Sequence, residues 1–459
     1  SAATGCKQDF LLKGNDQPEV DQRVVQLFRT FNDLLASIPG RRQAIPGMRL
    51  RTFDVTKIGP RTGLFQWVEG QTSFHRVYQS WRQHHVHQKK TQQANCAPTK
   101  RHAVPHRPSE DYFSAFLSEL RIALAHKDAA AKSFVLAIIE RCKAKTPVVD
   151  SSHADCMKFD DWGRLESFLA KLTGKEFKKH VTAMSRVRDA TGARSAVDGG
   201  EAIPCAKPHR RPRSATPCDR SVWPKHVSVR TFLKLSSRVP SGLIERELFV
   251  SSICAEERLM KELVFARSLA TSSIAGHVVG LGDRHLDNIL LDLKTGSVMH
   301  VDLSIAFGRG MYDLRVAEVV PFRLTRVLRG ALGLSREDGV FRAACESSLQ
   351  AIKMGQELVT SLLLHTETNS SSVANYKSGL KRRVRSDEVS ARLDGKLRYP
   401  HDFNDEGEGV RTATHSTEVG DDEKYRGSVT VSEHVTRLIT AATNVDNLAC
   451  MFEGWAAWI

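Results

Sequence analysis

Apolar residues fall in short strand-like blocks at the start of the chain and settle into longer helical rhythms further on. Gln8–Gly14 reads as a strand. After a loop, Val24, Leu27, Phe28, Phe31, Leu34 and Leu35 recur every three or four residues, the spacing of one helix face. Thr62–Val68 reads as a strand and Phe74–Trp81 as a second helix, whereas 89–107 turns to Gln, Lys, His and Pro, a loop by composition. Ser109 and the acids after it start a helix that runs to 125. From 126 to 220 the rhythm degrades to fragments (Phe134–Arg141, Trp162–Leu172), and the segment reads as a loop-rich insertion, dispensable for chemistry from 141 onward. Strong helical periodicity returns at Trp223 and continues to Val279. Residues 366–428, rich in Ser, Thr, Asp, Glu and Arg, read as a linker. From about Glu433 one amphipathic helix carries the chain to Ile459, with Leu448, Met451, Phe452, Trp455 and Trp458 on a face too apolar for water, which should dock on the body of the protein.

Composition narrows the class. With 459 residues and a 41% apolar share, the chain can bury a large core in two or three domain-sized units. No apolar run approaches the ~20 residues of a membrane span, and no secretory pattern opens the chain. Nine cysteines stand singly with no CxxC pair, which argues against a disulfide framework or zinc ribbon and suits a reducing compartment. The net charge of +15 invites a nucleic-acid reading, yet nearly half of the excess lies in 141–220, where 17 basic residues face 10 acidic ones. Its Pro-rich tail, KPHRRPRSATP at 207–217, reads as a solvated loop, with RNA or an acidic partner as the sharper alternative.

The chemistry concentrates in Gly282-Asp283-Arg284-His285, then Asn288 and His300-Val301-Asp302. Phosphoryl transfer asks for a carboxylate at the attacking hydroxyl, oxygen ligands for divalent metal and a lysine on the phosphates. Asp283 and Asn288 stand five residues apart, the spacing at which kinases place the base and a metal-binding Asn. An apolar strand, a Lys-Thr-Gly turn and a second apolar strand separate Asn288 from Asp302, a hairpin that returns Asp302 to the same place. Asn288 and Asp302 are hard oxygen donors, suited to Mg²⁺ or Mn²⁺ rather than zinc.

GLGDRHLDNILLD with its following HVD resembles the catalytic and metal-binding loops of the phosphatidylinositol-3-kinase-related protein kinases. FLLKGNDQPEVDQRVVQLF, GPRTGLFQWVEG, RPSEDYF, WPKHV, VVPFRLT and GVFRAACESSL extend the likeness in order, and ATNVDNLACMFEGWAAWI resembles the helical FATC-type domain that ends these kinases. The likeness is greatest to the branch acting in nonsense-mediated mRNA decay. It implies an α+β, two-lobed protein-kinase-like fold of the phosphatidylinositol 3-/4-kinase type, with a truncated N-lobe, a mainly helical C-lobe and a C-terminal helical tail. The corresponding divisions are 1–68 (partial N-lobe and hinge), 69–365 (C-lobe, interrupted at 126–220), 366–430 (linker) and 431–459 (FATC-type domain).

The resemblance also assigns roles. Lys13 is the strand lysine on the ATP phosphates, and Asp21 the helix acid that pairs with it, with Asp16 at a second acidic position. Trp67 and Val68 form the hinge against adenine, and Leu290 and Val301 the apolar floor beneath it. Asp283 is the base, His285 stabilises charge on the transferred phosphoryl, and Asn288 and Asp302 bind the metal. The activity implied is ATP-dependent phosphorylation of Ser or Thr before Gln. An RNA helicase of the decay pathway is the implied substrate, regulatory protein subunits the partners, and the cytoplasm, with the nucleus second, the location. Two departures stand out: Leu303-Ser304 follows Asp302 where most kinases have Phe-Gly, and only twelve residues precede Lys13, too few for a phosphate-covering loop. Weak ATP binding by this chain is the expectation. The rivals are a phosphoinositide lipid kinase, opposed by the zero charge balance of Ser304–Val320, and a non-catalytic scaffold, opposed by Asp283, Asn288 and Asp302.

Overall fold

A computed structural model describes residues 8–14, 16–38, 45–93, 108–143, 165, 167, 169–170, 172–178, 220, 223–314, 316–369, 386–397 and 429–459. The first sheet holds β1 (Phe10–Gly14), β3 (Thr62–Gln66) and β2 (Val55–Gly59) in that order, all antiparallel. Helix α1 (Pro18–Ala36) begins with Pro18 in its first turn beside Glu19 and Asp21, residues that suit a helix N-terminus by φ and by charge. Its Val24, Leu27, Phe28, Phe31 and Leu35 are all buried, the face the periodicity predicts. Asn32 holds the chain beyond α1 by a reciprocal pair, donating to the Leu50 carbonyl at 2.9 Å and accepting from its N–H at 2.8 Å.

The second sheet joins β4 (Gln71–Ser73), just past Trp67 and Val68, to the hairpin of β5 (Ile289–Asp292) and β6 (Val298–His300). This hairpin is the one expected between Asn288 and Asp302. β2 and β4 escape the periodicity because their residues are half-buried or exposed and carry little apolar signal. Helix α2 (Phe74–Gln93) continues through residues 89–93, which composition gave to a loop.

Helices dominate the rest: α3 (Pro108–Ala125), α4 (Ala129–Lys143), α5 (Lys225–Ser236), α6 (Leu243–Val250) and α7 (Ala255–Val278). The C-terminal half of α7 is wholly buried and rich in Ala, Ser and Gly, small residues that let neighbours approach; Ser268 Oγ accepts the Val298 N–H at 2.9 Å and ties β6 to it. After the short helices α8 (Arg309–Tyr312) and α9 (Arg326–Gly330) come α10 (Val340–Met354), packed on both α7 and α1, and α11 (Gln356–Asn369).

Three expectations need correction. The interruption assigned to 126–220 begins inside the core, not outside it. α4 buries Ala131, Phe134, Val135, Ile138 and Ile139, with the Phe134 ring 6.0 Å from Phe116 and 5.5 Å from Trp223. Further along, Leu165, Leu169 and Phe177 are buried; Phe177 stacks on Phe116 at 6.0 Å, and Arg121 donates to the Leu169 carbonyl at 2.5 Å. Parts of the segment therefore pack on the core, while its basic 207–217 run lies outside the described residues. The linker assigned to 366–430 contains α12 (Ser386–Leu393), whose Val389 and Leu393 are buried. The tail is not one helix: α13 (Val431–Thr443) ends at Asn444, whose side chain caps α14 (Val445–Ala449), and a 3-10 turn follows at Glu453–Trp455. Docking of the tail is nevertheless seen. Trp455 and Trp458 are buried, Trp458 stacks on Tyr112 at 5.6 Å, and Glu453 forms a buried ion pair with Arg220 at 2.6 Å.

Candidate functional site

The catalytic loop lies between α7 and β5 and is stitched to the segment after Asp302. Gly282 N–H donates to Ile305 O at 2.7 Å, Phe307 N–H to Val279 O at 2.7 Å, and Gly308 N–H to Gly280 O at 3.0 Å. Arg284 stands at the centre, buried, and its guanidinium donates to the carbonyls of Gly282 (2.8 Å), Val301 (2.8 Å) and Asp302 (2.5 Å). One side chain thus fixes the loop bearing Asp283 to the loop bearing Asp302. A buried guanidinium is costly unless its donors are used, which is what this clasp achieves.

Asp283 adopts φ +59°, a left-handed conformation unfavourable for a non-glycine residue. Both sides of its backbone are held: its N–H donates to the Glu318 carboxylate at 2.9 and 3.0 Å, and its carbonyl accepts from Asn288 Nδ2 at 2.9 Å. Its own carboxylate faces His285, 4.0 Å from Nε2. His285 Nδ1 accepts the Asp287 N–H at 3.2 Å, which places the ring proton on Nε2, toward Asp283. Burial pushes the His285 pKa below its ordinary value, against the pull of Asp283 and Asp287, so the ring is neutral near pH 7.

Asn288 is buried, and its carbonyl accepts the Val301 N–H at 3.1 Å, so the two metal-ligand positions are neighbours across the start of the hairpin. Asp302 also sits at positive φ, +54°. The Ser304 hydroxyl donates to its Oδ1 at 3.1 Å, giving the unusual Leu303-Ser304 sequence a structural reason: Leu303 fills the core and Ser304 orients the acid. One amide oxygen and one carboxylate, with Asp21 electrostatically close, fit a hard divalent cation that takes its other ligands from phosphates and water.

The nucleotide side departs from the assigned pairing. Lys13 Nζ lies 3.8 Å from Asp16 and 4.5 Å above the centre of the Phe65 ring; its ion pair is with Asp16, not Asp21. Asp21 turns inward instead, and its Oδ1 accepts the Leu303 N–H at 2.8 Å, so α1 is tied directly to the backbone after Asp302. Burial raises the Asp21 pKa to about 6, with Leu303 N–H and Lys13 pulling it down and Asp302 and Asp16 adding to the rise. Trp67 is exposed and its N–H donates to Asp9 O at 2.8 Å, extending the first sheet, so that N–H is already engaged. Leu290 and Val301 are half-buried and packed against the core.

Arg284, Glu318 and Arg323 carry most of the geometry yet received no role from sequence. Each stood inside or beside a motif as a charge, and no periodicity marks a charge as buried. Arg323 donates to the carbonyls of Trp455 (2.6 Å), Ala456 (2.8 Å) and Ile459 (3.0 Å), with the Trp455 ring 4.3 Å away, and burial lowers its pKa to about 9. No helix among the described residues is long and apolar enough to cross a membrane.

Residues 7–157 and 161–370 match the profile of the phosphatidylinositol 3- and 4-kinase family, and 428–459 match the FATC domain. The first match runs straight through 126–157, as the buried α4 requires. The chain is 27% identical to the serine/threonine-protein kinase SMG1 of Danio rerio over 78% of its own length and 7% of that protein. It is 29% identical to the serine/threonine-protein kinase smg-1 of Caenorhabditis briggsae over 78% of its length and 12% of that protein. With TEL1 of Gibberella zeae it shares 35% identity over 44% of its length, 7% of that kinase. The structure titled FAT and kinase domain of CtTel1 covers 99% of this chain with a TM-score of 0.53 at 20% identity, the chain spanning 22% of it. This chain therefore spans only a small part of the relatives it matches.

Proposed function

We propose, since the chain belongs to the phosphatidylinositol 3- and 4-kinase family and ends in a FATC domain, that it is a serine/threonine protein kinase of the branch represented by SMG1. The carrying observation is the Arg284 clasp, which brings Asp283, Asn288 and Asp302 to one place on held backbone. Asp283 accepts the proton of the acceptor hydroxyl as the hydroxyl oxygen bonds to the γ-phosphorus of ATP. The bond from that phosphorus to the bridging oxygen breaks, and ADP leaves. Neutral His285, with its proton on Nε2, offers a hydrogen bond beside Asp283 to charge developing on the phosphoryl oxygens. Asn288 and Asp302 would hold Mg²⁺ or Mn²⁺, which would neutralise phosphate charge. Lys13, positioned by Asp16, reaches the phosphates, and Val68, Leu290 and Val301 enclose the adenine.

Protein rather than lipid as acceptor is supported by the named protein kinases among its relatives and by the segment after Asp302, where Arg309 is neutralised by Asp313 at 2.8 Å rather than free to meet an anionic membrane. Ser-Gln and Thr-Gln sites, an RNA helicase of nonsense-mediated mRNA decay as substrate, regulatory subunits and a cytoplasmic location extend the same reading. The test is phosphate transfer from labelled ATP to a Ser-Gln peptide and, in parallel, to phosphatidylinositol vesicles, with the full-length protein and its Asp302→Ala variant. We expect transfer to the peptide alone, abolished in the variant at unchanged melting temperature. Normal turnover by Asp302→Ala would sink the assignment.

A further inference from the structure

Glu318 lies in the segment leading to α9, far from the catalytic loop in sequence, yet both of its carboxylate oxygens sit within 3.0 Å of the Asp283 nitrogen. The surroundings are shaped around that carboxylate. A Cβ added at Gly282 would lie 2.5 Å from Glu318 Oε2, and a Cβ at Gly310 also 2.5 Å from it. Neither glycine has a positive φ; close approach is what favours glycine, because a Cβ at Gly282 would also lie 2.9 Å from Gly310 Cα, and the Glu318 carboxylate fills the space beside both. Gly310 holds the same acid by its backbone, its carbonyl accepting the Glu318 N–H at 3.2 Å.

We infer that Glu318 is a positioning residue for phosphoryl transfer: by gripping the Asp283 N–H it fixes the left-handed backbone that aims the Asp283 side chain at the acceptor hydroxyl. The inference rests on the reading of Asp283 as the base. A left-handed non-glycine residue returns to an ordinary conformation unless its neighbours over-determine it, and here the two anchors are Glu318 on the N–H and Asn288 on the carbonyl. Burial raises the Glu318 pKa to about 7, opposed by the Asp283 N–H and Arg284, with the Asp283 charge adding to the rise. A carboxylate placed there costs stability, and a packing role alone would be better served by an apolar side chain.

The experiment compares Glu318→Ala and Glu318→Gln with Asp302→Ala in the full-length protein, by steady-state kinetics on a Ser-Gln peptide, melting temperature, and hydrogen exchange of the Asp283 amide. Because displacement of a reacting group by about 1 Å costs about 100-fold, Glu318→Ala should lower kcat by about 100-fold and leave the KM for ATP within about twofold. Glu318→Gln keeps one accepting oxygen and should recover most of the rate. Asp283 amide exchange should rise in the Ala variant and stay protected in the Gln variant. Parental kcat in Glu318→Ala, with Asp302→Ala inactive, would overturn the inference and leave the kinase reading standing. Equal rate losses in both variants with lowered melting would assign Glu318 to packing and overturn it as well. Activity surviving in Asp302→Ala would remove the kinase reading, and unchanged Asp283 exchange in Glu318→Ala would then remove the grip too.

Discussion

The two sides of the proposed cleft are built by opposite means. On the catalytic side, buried guanidiniums hold backbone carbonyls: Arg284 clasps Gly282, Val301 and Asp302, and Arg323 clasps Trp455, Ala456 and Ile459. On the nucleotide side, β1 presents Phe10, Leu11 and Leu12 to solvent, and Lys13 is held by a partly exposed ion pair of 3.8 Å and the Phe65 ring. Buried charge-assisted hydrogen bonds fix position strongly because losing one strands a polar group away from water, whereas an exposed pair contributes little. Charge-assisted holding is thus concentrated around the proposed base, and the lysine proposed for the phosphates is held more loosely.

The sharpest way to break this contrast is Arg323→Ala. It removes the donors for three carbonyls at 2.6 to 3.0 Å and the contact with the Trp455 ring. At about 1–3 kcal/mol for each buried group left unpaired, with part of the loss relieved by relaxation, we expect destabilisation of about 3–5 kcal/mol. Denaturant unfolding of the variant measures it. A loss below about 1 kcal/mol would show that the tail is held by its apolar face alone and that the guanidinium is incidental.

Much of this fold is legible in the sequence, and the failures have physical causes. The face of α1 and the hairpin between Asn288 and Asp302 follow from side-chain spacing, since burial there is apolar and periodic; in the tail Leu448, Met451, Trp455 and Trp458 are buried as expected, whereas Phe452 is 38% exposed. The one-helix reading of the tail failed at Asn444, because periodicity registers apolar spacing and is blind to a cap that restarts the helix. α4 was read as part of a loop-rich insertion because its alanines and mixed polar residues dilute the rhythm, although its inward face is fully apolar. The site residues named from the motif do converge around Arg284. The Lys13 partner does not follow from the motif, because two acids stand within reach in sequence and only the direction of α1 decides between them; it turns Asp21 to the Leu303 N–H and leaves Asp16 to the lysine.

A second way to probe the contrast is pH. His434, in α13, is buried in the tail interface with its ring 5.8 Å from that of His277. Burial, then the charges of Lys353 and Arg437, lower its pKa to about 4 against the opposing pull of Asp394, and His277 is lowered well below 6.5 by burial, Arg392 and His434. Both rings are held neutral. A histidine depressed in the folded state binds its proton more readily when unfolded, so its contribution is intact above about 6.5 and is lost as pH falls toward and through 4. We expect His434→Gln to flatten the fall in melting temperature between pH 6.5 and 4. An unchanged slope would place the acid sensitivity of the tail elsewhere.

The smallest effect belongs to the nucleotide side, and its smallness is the point. Asp16→Asn removes the charge facing Lys13, whose side chain is 29% exposed against 23% for Asp16. Partly solvated pairs of this kind contribute about 0–1 kcal/mol, and at 3.8 Å this one is loose, so unfolding should shift by no more than about 0.5 kcal/mol. The consequence for binding is separate from stability. With Asp16 neutralised, Lys13 retains the Phe65 ring 4.5 Å away, and nothing on β1 fixes its ammonium over the phosphates. The KM for ATP should therefore rise by a few-fold with kcat nearly constant, the signature of a lost contact that is equal in ground and transition states. Asp21→Ala is the paired control: it removes the oxygen that accepts the Leu303 N–H behind Asp302, so it should lower kcat more than it raises KM. If the two variants exchanged these signatures, Asp21 rather than Asp16 would be the partner that matters for Lys13, and the division of labour between the two sides of the cleft would fall.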